Sequence, residues 1–366
     1  CRVAANPRNL ESQISNFRSN FGREIRRLKP PFQNPQMNEF GENLRESAPR
    51  VSVVIPAYKV TSFIEETLQS VFAQTFTDYE TIVINDGSPD TNEFEAIIKP
   101  HLSKIVYVKK ENGGAASARN AGINVARGEI VAFLDGDDVW KPNFLQSQIE
   151  FFDSHDFDMI YADADFFGEN VEKGQTYMQF SKSNGAVTIT SLLGWTCNVI
   201  TSGTIVYRHK LIEAGLFDES SAFRQGQDFE MWIRLLKTGA KIGYQREVLL
   251  KYRVRNDGLS GDEIRQSERS INVLNALQSK YDFDDAQQIV LEKQIARAVA
   301  MWETERGKAA LLNGDFKQAR ASFAAANNYF RAPKLYAVSI LARFAPKLLQ
   351  RFFFKRTNGN LDTRTT

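Results

Sequence analysis

The chain has 366 residues, of which 42% are hydrophobic and 25% charged, as in soluble globular proteins and unlike disordered ones. Its two cysteines, Cys1 and Cys197, are too few for a disulfide framework, and three scattered histidines lack the spacing of zinc ligands. Residues 331–366 carry a net charge of +7 in a chain whose total is +2, which predicts a polyanionic partner for this segment alone. No apolar run reaches the roughly 18 residues of a membrane span, so we expect a cytoplasmic protein.

Residues 1–49 are predicted to be an extension and linker. Apolar residues recur at helical spacing between Leu10 and Leu28. Prolines then break this pattern at Pro30, Pro31, Pro35 and Pro49. We therefore place the start of the first folded domain near residue 50.

Strands and helices are predicted to alternate over residues 51–160. The strands are Val51–Ile55, Tyr79–Ile84, Ile105–Val108 and Ile130–Leu134, and the helices are Ile64–Phe72, Phe94–Ile98, Ala115–Ala126 and Phe144–Phe152. Repeated strand–helix units predict an α/β fold with a doubly wound, mostly parallel sheet. Ligands of such sheets bind at the carboxyl ends of the strands.

The pattern changes after residue 160. A less regular stretch contains a predicted helix at Phe229–Leu236, and residues 264–330 are predicted to be helical. Small residues and turn signals after Gly307 are typical of one helical hairpin. These patterns divide the chain into the extension 1–49, an α/β domain at 50–260 and an α-helical C-terminal region at 261–366.

The turn Asp135-Gly136-Asp137-Asp138 is the strongest chemical signal. Three carboxylates in four residues repel one another, and a hard divalent cation such as Mg²⁺ or Mn²⁺ relieves that repulsion. Such a cation also stabilises a departing diphosphate. A solvated acidic loop is the alternative, but the turn directly follows the apolar predicted strand Ile130–Leu134.

Two further acidic positions have both an ordinary and a chemical interpretation. Asp86, in Asn85-Asp86-Gly87-Ser88, is either a turn residue or an acceptor for a ring N–H of a nucleobase. Asp228 either favours the start of the following helix or removes a proton from an acceptor hydroxyl. Trp195 and Trp232 are either core residues or platforms for a sugar.

Together these motifs resemble those of family 2 glycosyltransferases over roughly residues 50–258. The matching segments are Val51-Ser-Val-Val-Ile-Pro-Ala-Tyr, Asn85-Asp-Gly-Ser, Asn112-Gly-Gly-Ala-Ala-Ser-Ala-Arg-Asn, Asp135-Gly-Asp-Asp and Gln227-Asp-Phe-Glu-Met-Trp. The resemblance implies a GT-A fold and an inverting hexosyltransferase-like enzyme. By the same resemblance, Asp228 is the catalytic base, Asp137 and Asp135 bind Mn²⁺ or Mg²⁺, and the donor lies near Pro56, Ala57, Tyr58, Glu65, Asp86, Arg119 and Asp135.

Two positions depart from the family pattern. Gln227 stands where many members have a glutamate, so the predicted base keeps its place but loses a neighbouring acid. Arg255 stands where many have a histidine, so we expect it to contact phosphate as a cation instead.

We therefore expect transfer of a sugar from a UDP- or dTDP-sugar to a hydroxyl of a glycan or lipid-linked acceptor, with no nucleic-acid partner. A nucleotidyltransferase is one alternative, although the first strand is followed by Pro56-Ala57-Tyr58-Lys59 and not by a glycine-rich phosphate loop. A non-catalytic scaffold with a degenerate transferase domain is another.

The basic C-terminal segment has two interpretations. Lys347, Arg351 and Lys355 share one predicted helical face, and an apolar face is formed by Leu348, Leu349, Phe352 and Phe353. Such a helix suits the anionic inner face of a cytoplasmic membrane. It would equally suit packing on the protein's own helical region.

Overall fold

The computed structural model describes residues 47–169, 171–172, 174–255 and 263–351. The predicted helix Leu10–Leu28, Pro30, Pro31, Pro35, Phe352, Phe353 and Lys355 lie outside these ranges. The strands are β1 (Val51–Ala57), β2 (Tyr79–Asp86), β3 (Val106–Lys110), β4 (Ile130–Phe133), β5 (Val139–Trp140), β6 (Met159–Gly168), β7 (Thr204–Tyr207) and β8 (Ile242–Val254).

Helices flank and follow these strands. In the α/β part they are α1 (Ile64–Phe72), α2 (Thr91–Ile98), α3 (Ala115–Val125), α4 (Phe144–Asp153), α5 (Tyr177–Phe180), α6 (Ile189–Leu193), α7 (Arg208–Glu213) and α8 (Gln227–Lys237). The C-terminal region contains α9 (Glu263–Lys280), α10 (Asp285–Leu312), α11 (Phe316–Phe330) and α12 (Pro333–Phe344). One-turn 3₁₀ helices lie at Lys99–His101, Thr201–Gly203 and Ser221–Phe223.

The strands of the described chain form one eight-stranded sheet in the order β3-β2-β1-β4-β7-β6-β8-β5. Pairing is parallel from β3 through β4 and between β6 and β8, and antiparallel around β7 and β5. This confirms the mostly parallel sheet and the helical C-terminal region predicted from the sequence. Parallel pairing puts the carboxyl ends of β1, β2 and β4 at one edge, where the acidic turns follow.

Both faces of the sheet are covered, as the apolar strands predict. One face packs against α1, α2 and α4, with Ile55, Phe94 and Phe144 fully buried. The other packs against α3, α8 and the first two helices of the C-terminal region. The helical region thus shares a core with the α/β part.

Charged groups reinforce the contact between α8 and the helix that follows β8. Glu230 on α8 is fully buried and accepts hydrogen bonds from Arg234 and Lys280 at 2.8 Å each, and from the Tyr281 hydroxyl. Lys280 also pairs with Asp218 at 2.6 Å. At the start of α8 a β-carbon added to Gly226 would lie 2.6 Å from Val273 Cγ2, so the two helices meet there without room for a side chain.

Helix α12 has one buried and one exposed side. Ala342 packs with Leu311 and Phe323, and the exposed side carries Tyr336, Ile340, Leu341 and Phe344. The predicted apolar face beyond it is divided, since Leu349 is buried in the same cluster whereas Leu348 is 65% exposed. No helix among the described residues is long and apolar enough to span a bilayer.

Candidate active site

Asp86 lies at the carboxyl end of β2, where it organises the start of α3. Its Oδ1 accepts hydrogen bonds from the Gly113 amide at 3.0 Å and from Lys110 Nζ at 2.7 Å, and its Oδ2 accepts one from the Gly114 amide at 2.7 Å. A carboxylate offers about four acceptor positions. The buried Asp86 is thus fixed in orientation and keeps capacity for one more donor, such as a base N–H.

The end of β1 lies beside this acid. Pro56 and Ala57 pair with Ile84 and Asn85 of β2, and Tyr58 is exposed just beyond them. Ser88 links the two strand ends, because its Oγ accepts a hydrogen bond from the Lys59 amide at 2.8 Å. The predicted nucleoside-contacting segments after β1 and β2 are therefore adjacent.

Glu65 lies on α1 and makes a different set of contacts. It is exposed, and its carboxylate meets Gln69 at 2.9 Å and His101 at 2.9 Å. The hydrogen bond from Gln69, followed by the interaction with His101, lowers the pKa of Glu65. These contacts place Glu65 in a separate cluster from Asp86.

The acidic turn after β4 brings Asp135 to Arg119, a contact that was not predicted from the sequence. Arg119 is buried on α3, and its Nη2 donates to Asp135 Oδ1 at 2.5 Å. Its Nε has no hydrogen-bond partner within the described chain. A buried guanidinium with a remaining donor suits a second anionic oxygen.

Asp137 is held by the C-terminal end of β8. Arg255 Nη1 donates to Asp137 Oδ2 at 3.1 Å, and Arg253 Nε donates to the Asp137 carbonyl at 2.7 Å. Burial and the neighbouring Asp135 raise the pKa of Asp137, although Arg255 acts in the opposite direction. Arg255 therefore compensates the carboxylate only in part.

Asp138 turns away from this group into the protein. It is buried, and its Oδ1 accepts the Arg253 amide at 2.8 Å. Burial, followed by Asp137 and Asp135, raises its pKa well above the ordinary range. Its contacts are those of a residue that holds the turn against β8.

Two carboxylates of this turn fit a divalent cation, but they do not form a complete site. Among the described residues, no three acidic, histidine or cysteine side chains converge as metal ligands. Burial, followed by the neighbouring Asp135, raises the pKa of Asp137, so a cation beside these two acids would favour the charged carboxylate. A hard cation would take oxygen from Asp137 and Asp135 and fill its remaining positions with diphosphate or water.

Asp228 lies in the first turn of α8 and is half-buried. The helix is preceded by Gly226, and no side chain caps it. Asp228 Oδ2 instead accepts a hydrogen bond from Thr201 Oγ1 at 2.8 Å, and its Oδ1 accepts the Phe229 amide at 2.8 Å. Asp228 therefore has a defined orientation that helix capping alone does not require.

Ser202, which follows Thr201 in the chain, contacts the acidic turn. Its Oγ accepts the Asp135 amide at 3.1 Å, and its carbonyl accepts the Trp140 indole N–H at 2.8 Å. The one-turn helix Thr201–Gly203 thus contacts Asp228 through one residue and Asp135 through the next. This arrangement brings the acidic turn and the predicted base into one assembly.

The comparisons with known proteins identify the family. The model of glycosyl transferase family 2 matches residues 52–216. An uncharacterized glycosyltransferase of Rickettsia prowazekii is 31% identical over 230 residues, which are 60% of this chain and 69% of that protein. The chain belongs to glycosyl transferase family 2.

Other similar proteins differ in length and in the activity for which they are named. The chain spans 37% of the length of similar glycosyltransferases from Rickettsia felis and Rickettsia conorii. An Escherichia coli UDP-Glc:α-D-GlcNAc-diphosphoundecaprenol β-1,3-glucosyltransferase is 28% identical over 228 residues, which are 62% of this chain and 86% of that enzyme.

A solved structure shares the fold. It is a mannosyltransferase of Pyrobaculum calidifontis in complex with GDP-Man and Mn²⁺, with a TM-score of 0.57 and 17% identity, and the match covers 86% of this chain and 88% of that one. At this identity the likeness concerns the fold, and it agrees with the GT-A fold that the family 2 resemblance implied.

Several residues that position the family 2 motifs were not predicted from the sequence. Thr201, Ser202 and Lys110 belong to none of the motifs named in the sequence. Lys110 had one available signal, since it lies two residues before Asn112-Gly113-Gly114. Thr201 and Ser202 are distant in sequence from Asp228 and Asp135, and only the tertiary fold joins them.

Proposed function

We propose that the chain is an inverting hexosyltransferase that moves a sugar from a nucleotide-sugar to an acceptor hydroxyl. The observation that carries this proposal is the shared support of the acidic turn and Asp228 by Thr201 and Ser202. A single displacement needs a base on the acceptor side and charge stabilisation on the leaving-group side. Asp228 supplies the first, and the residues around Asp135 and Asp137 supply the second.

The residues of the chain have separable tasks in this reaction. Asp228 takes the proton from the acceptor hydroxyl, and Thr201 holds the carboxylate in place. Arg119 and Arg255 offer N–H donors to the diphosphate. A Mn²⁺ or Mg²⁺ ion on Asp137 and Asp135 would neutralise the charge of the departing nucleoside diphosphate when bound.

The donor is proposed to be a UDP- or dTDP-sugar. Asp86 needs a donor from the base, and uracil and thymine carry a ring N–H on the pairing edge, whereas cytosine carries an acceptor there. A CMP-sugar is therefore excluded. Guanine also has a ring N–H, and the preference for uracil or thymine over guanine rests on the resemblance to family 2 members. The E. coli relative uses a UDP-sugar, in agreement with this choice.

The acceptor is proposed to be a glycan or a lipid-linked saccharide of the cell envelope. The E. coli relative is named for transfer to a diphosphoundecaprenol-linked sugar, which favours this class. A lipid-linked acceptor requires the enzyme to work beside a membrane. We therefore place it in the cytoplasm, peripheral to the inner face of the cytoplasmic membrane.

The exposed side of α12 is proposed to contact that membrane. Tyr336, Ile340 and Phe344 recur every four residues, and Phe344 is 75% exposed. Basic residues accompany them at Lys334, Arg343, Lys347 and Arg351. Each basic residue near an anionic surface contributes about 1 kcal/mol, and the apolar side chains add to it.

A screen of nucleotide-sugars tests the central proposal. Purified full-length chain with Mn²⁺ is incubated with UDP-, dTDP-, GDP- and CMP-sugars, and release of free nucleotide is measured. We expect metal-dependent release from a UDP- or dTDP-sugar and inhibition by free UDP. Inhibition by CMP without inhibition by UDP would contradict the donor assignment, and a scaffold protein would release nothing.

A further inference from the structure

A cavity of about 310 Å³ opens beside Asp228, between the start of α8 and the first turns of α9. Its volume is at the lower end of the roughly 300–1,000 Å³ typical of small-molecule pockets. Polar and aromatic side chains from both parts of the chain line it: Trp195, Gln225 and Asp228 from the α/β part, and Gln266, Arg269 and Ser270 from α9. The helical region therefore contributes one wall.

Trp195 occupies its wall in a backbone conformation that a large side chain rarely adopts. Its φ is +53°, in the left-handed region. Such outliers persist where surrounding structure enforces them, and they cluster at functional sites. Trp195 is half-buried beside the cavity, whereas Trp232 is fully buried in the core.

Helix α10 makes contacts that hold Trp195 and its neighbour Gly194 in this conformation. Gln294 Nε2 donates to the Gly194 carbonyl at 2.6 Å, and the Arg297 guanidinium lies 5.7 Å from the centre of the Trp195 ring. Asn198 donates to the Trp195 carbonyl at 3.3 Å from the other side. These contacts hold Trp195 at the cavity. The residues that make them, Gln294, Arg297 and Asn198, do not line the cavity.

The polar side chains of α9 complete the opposite wall. Gln266, Arg269 and Ser270 are three and four residues apart, so they share one face of the helix. Together they carry amide, guanidinium and hydroxyl groups, which are groups that hydrogen-bond to sugar hydroxyls. The Ser270 hydroxyl already donates to the Gln266 carbonyl at 3.1 Å, so it would act towards a sugar as an acceptor. An aromatic ring on one side and several such groups on the other suit a sugar, which has apolar C–H faces and polar edges.

We propose that this cavity is the acceptor subsite and that it binds a saccharide between Trp195 and Arg269, with a hydroxyl directed to Asp228. The inference rests on the proposed transferase function, because Asp228 has a role in the cavity only as the base. It assigns to the C-terminal region a part in substrate selection, through α9 directly and through α10 by way of Trp195.

The test separates acceptor binding from donor chemistry. Full-length chain is mixed with octyl β-glucoside, octyl β-galactoside and octyl N-acetyl-β-glucosaminide as probes. Binding is followed by saturation-transfer NMR, and UDP release from UDP-sugars is measured with and without each probe. We expect at least one probe to bind and to accelerate UDP release.

Variants locate the binding. Arg269→Ala and Trp195→Gly are expected to raise the half-saturating probe concentration about tenfold, the effect of losing one good polar or aromatic contact. Glycine is chosen at 195 because it tolerates positive φ. UDP release without probe is measured in both variants, because it shows whether each is folded and still binds donor. Arg265→Ala and Trp302→Ala, which alter α9 and α10 outside the cavity lining, should match the parent chain.

Two outcomes overturn the inference while the proposed function stands. One is probe binding that Arg269→Ala and Trp195→Gly leave unchanged. The other is the absence of binding by any glycoside despite normal UDP release. Failure of UDP release from every donor would instead contradict the proposed function, and the NMR measurement still reports whether the cavity binds a sugar.

Discussion

Thr201 Oγ1 donates to Asp228 Oδ2 at 2.8 Å, and the following residue, Ser202, accepts the Asp135 amide at 3.1 Å. One turn of 3₁₀ helix thereby contacts both Asp228 and the acidic turn that contains Asp135. Any displacement of this turn would change the position of both groups.

Thr201→Val removes the hydroxyl with little change of shape. We expect kcat to fall about five- to tenfold, because the lost hydrogen bond is worth about 1 kcal/mol and holds the base in orientation. Donor KM should be unchanged. Thr238→Val, which removes a comparable hydrogen bond at the other end of α8, is the control and should keep full turnover. Equal losses in both variants would mean a general packing effect.

Asp228→Asn tests the base itself. Turnover should fall by roughly 10²–10⁴-fold, the usual size of a general-base effect, while donor affinity is retained. Steady-state kinetics and calorimetric donor titration measure the two quantities. Asp156→Asn, an exposed residue paired with Lys241, is the matched control. Normal turnover of Asp228→Asn would assign the residue to helix stability alone.

Asp137→Asn tests whether the acidic turn binds a metal ion. We expect transfer to be abolished and donor binding in the presence of Mn²⁺ to weaken, because the cation loses its leading ligand. Calorimetry of donor binding with and without Mn²⁺ gives the difference. Asp138→Asn changes the neighbouring acid, which faces the interior, and should preserve the Mn²⁺ effect. Unchanged metal-dependent binding in Asp137→Asn would remove Asp137 from the site.

Lys280→Gln should destabilise the contact between α8 and α9. It takes a cation from the buried Glu230, at an expected cost of about 1–3 kcal/mol in thermal or urea unfolding at pH 7. Lys241→Gln alters an exposed pair and should cost much less.

The cost of Lys280→Gln should also depend on pH. Burial opposes ionisation of Asp218, but hydrogen bonds from Lys280 and Ser220 lower its pKa to about 2 from an ordinary value of 3.8. A lowered acid pKa stabilises the fold fully above about pH 4, and this stabilisation is lost as pH falls towards 2. The difference between parent and variant should therefore shrink over that interval. A difference independent of pH would exclude this role for Asp218.

The exposed side of α12 can be tested without removing the helix. Deleting residues 333–366 would also remove Ala342 and Leu349, which pack with Leu311 and Phe323. Tyr336→Ser combined with Phe344→Ser should instead release the protein from anionic liposomes and leave donor hydrolysis intact. Ile289→Ser, another exposed apolar position, is the control.

Salt provides a second criterion for the membrane proposal. Binding of the parent chain should weaken at high ionic strength, because exposed charges are screened. If the parent chain does not bind anionic liposomes at low salt, the C-terminal segment only packs on the protein.

Elements fixed by local pattern were predicted well from the sequence. Ile64–Phe72 is helical over the predicted range, and the strand before the acidic turn differs by one residue, because apolar spacing and turn residues mark these bounds. The bounds of β6 and β8 were not predicted within the less regular stretch after residue 160. They pair across the chain with an irregular register at Asp163, which no local pattern indicates.

The site was predictable only where a motif carries its own chemistry. The acids Asp86, Asp135 and Asp137 stand out at strand ends. The pairing of these acids with other side chains does not stand out, because the partners are far apart in sequence. Arg255 and Asp137, for example, are separated by 118 positions. The two interpretations of Trp195 and Trp232 could not be separated either, since only tertiary packing leaves one beside a cavity and buries the other.

Gly226 has a consequence for the range of acceptors. Its φ of −163° is open to any residue, so space alone excludes a side chain there. Even a methyl group would clash with Val273 and displace α9 outward, which would widen the cavity beside Asp228. A single position could thus adjust acceptor size independently of donor chemistry, and a larger residue there in another member of the family would indicate a bulkier acceptor.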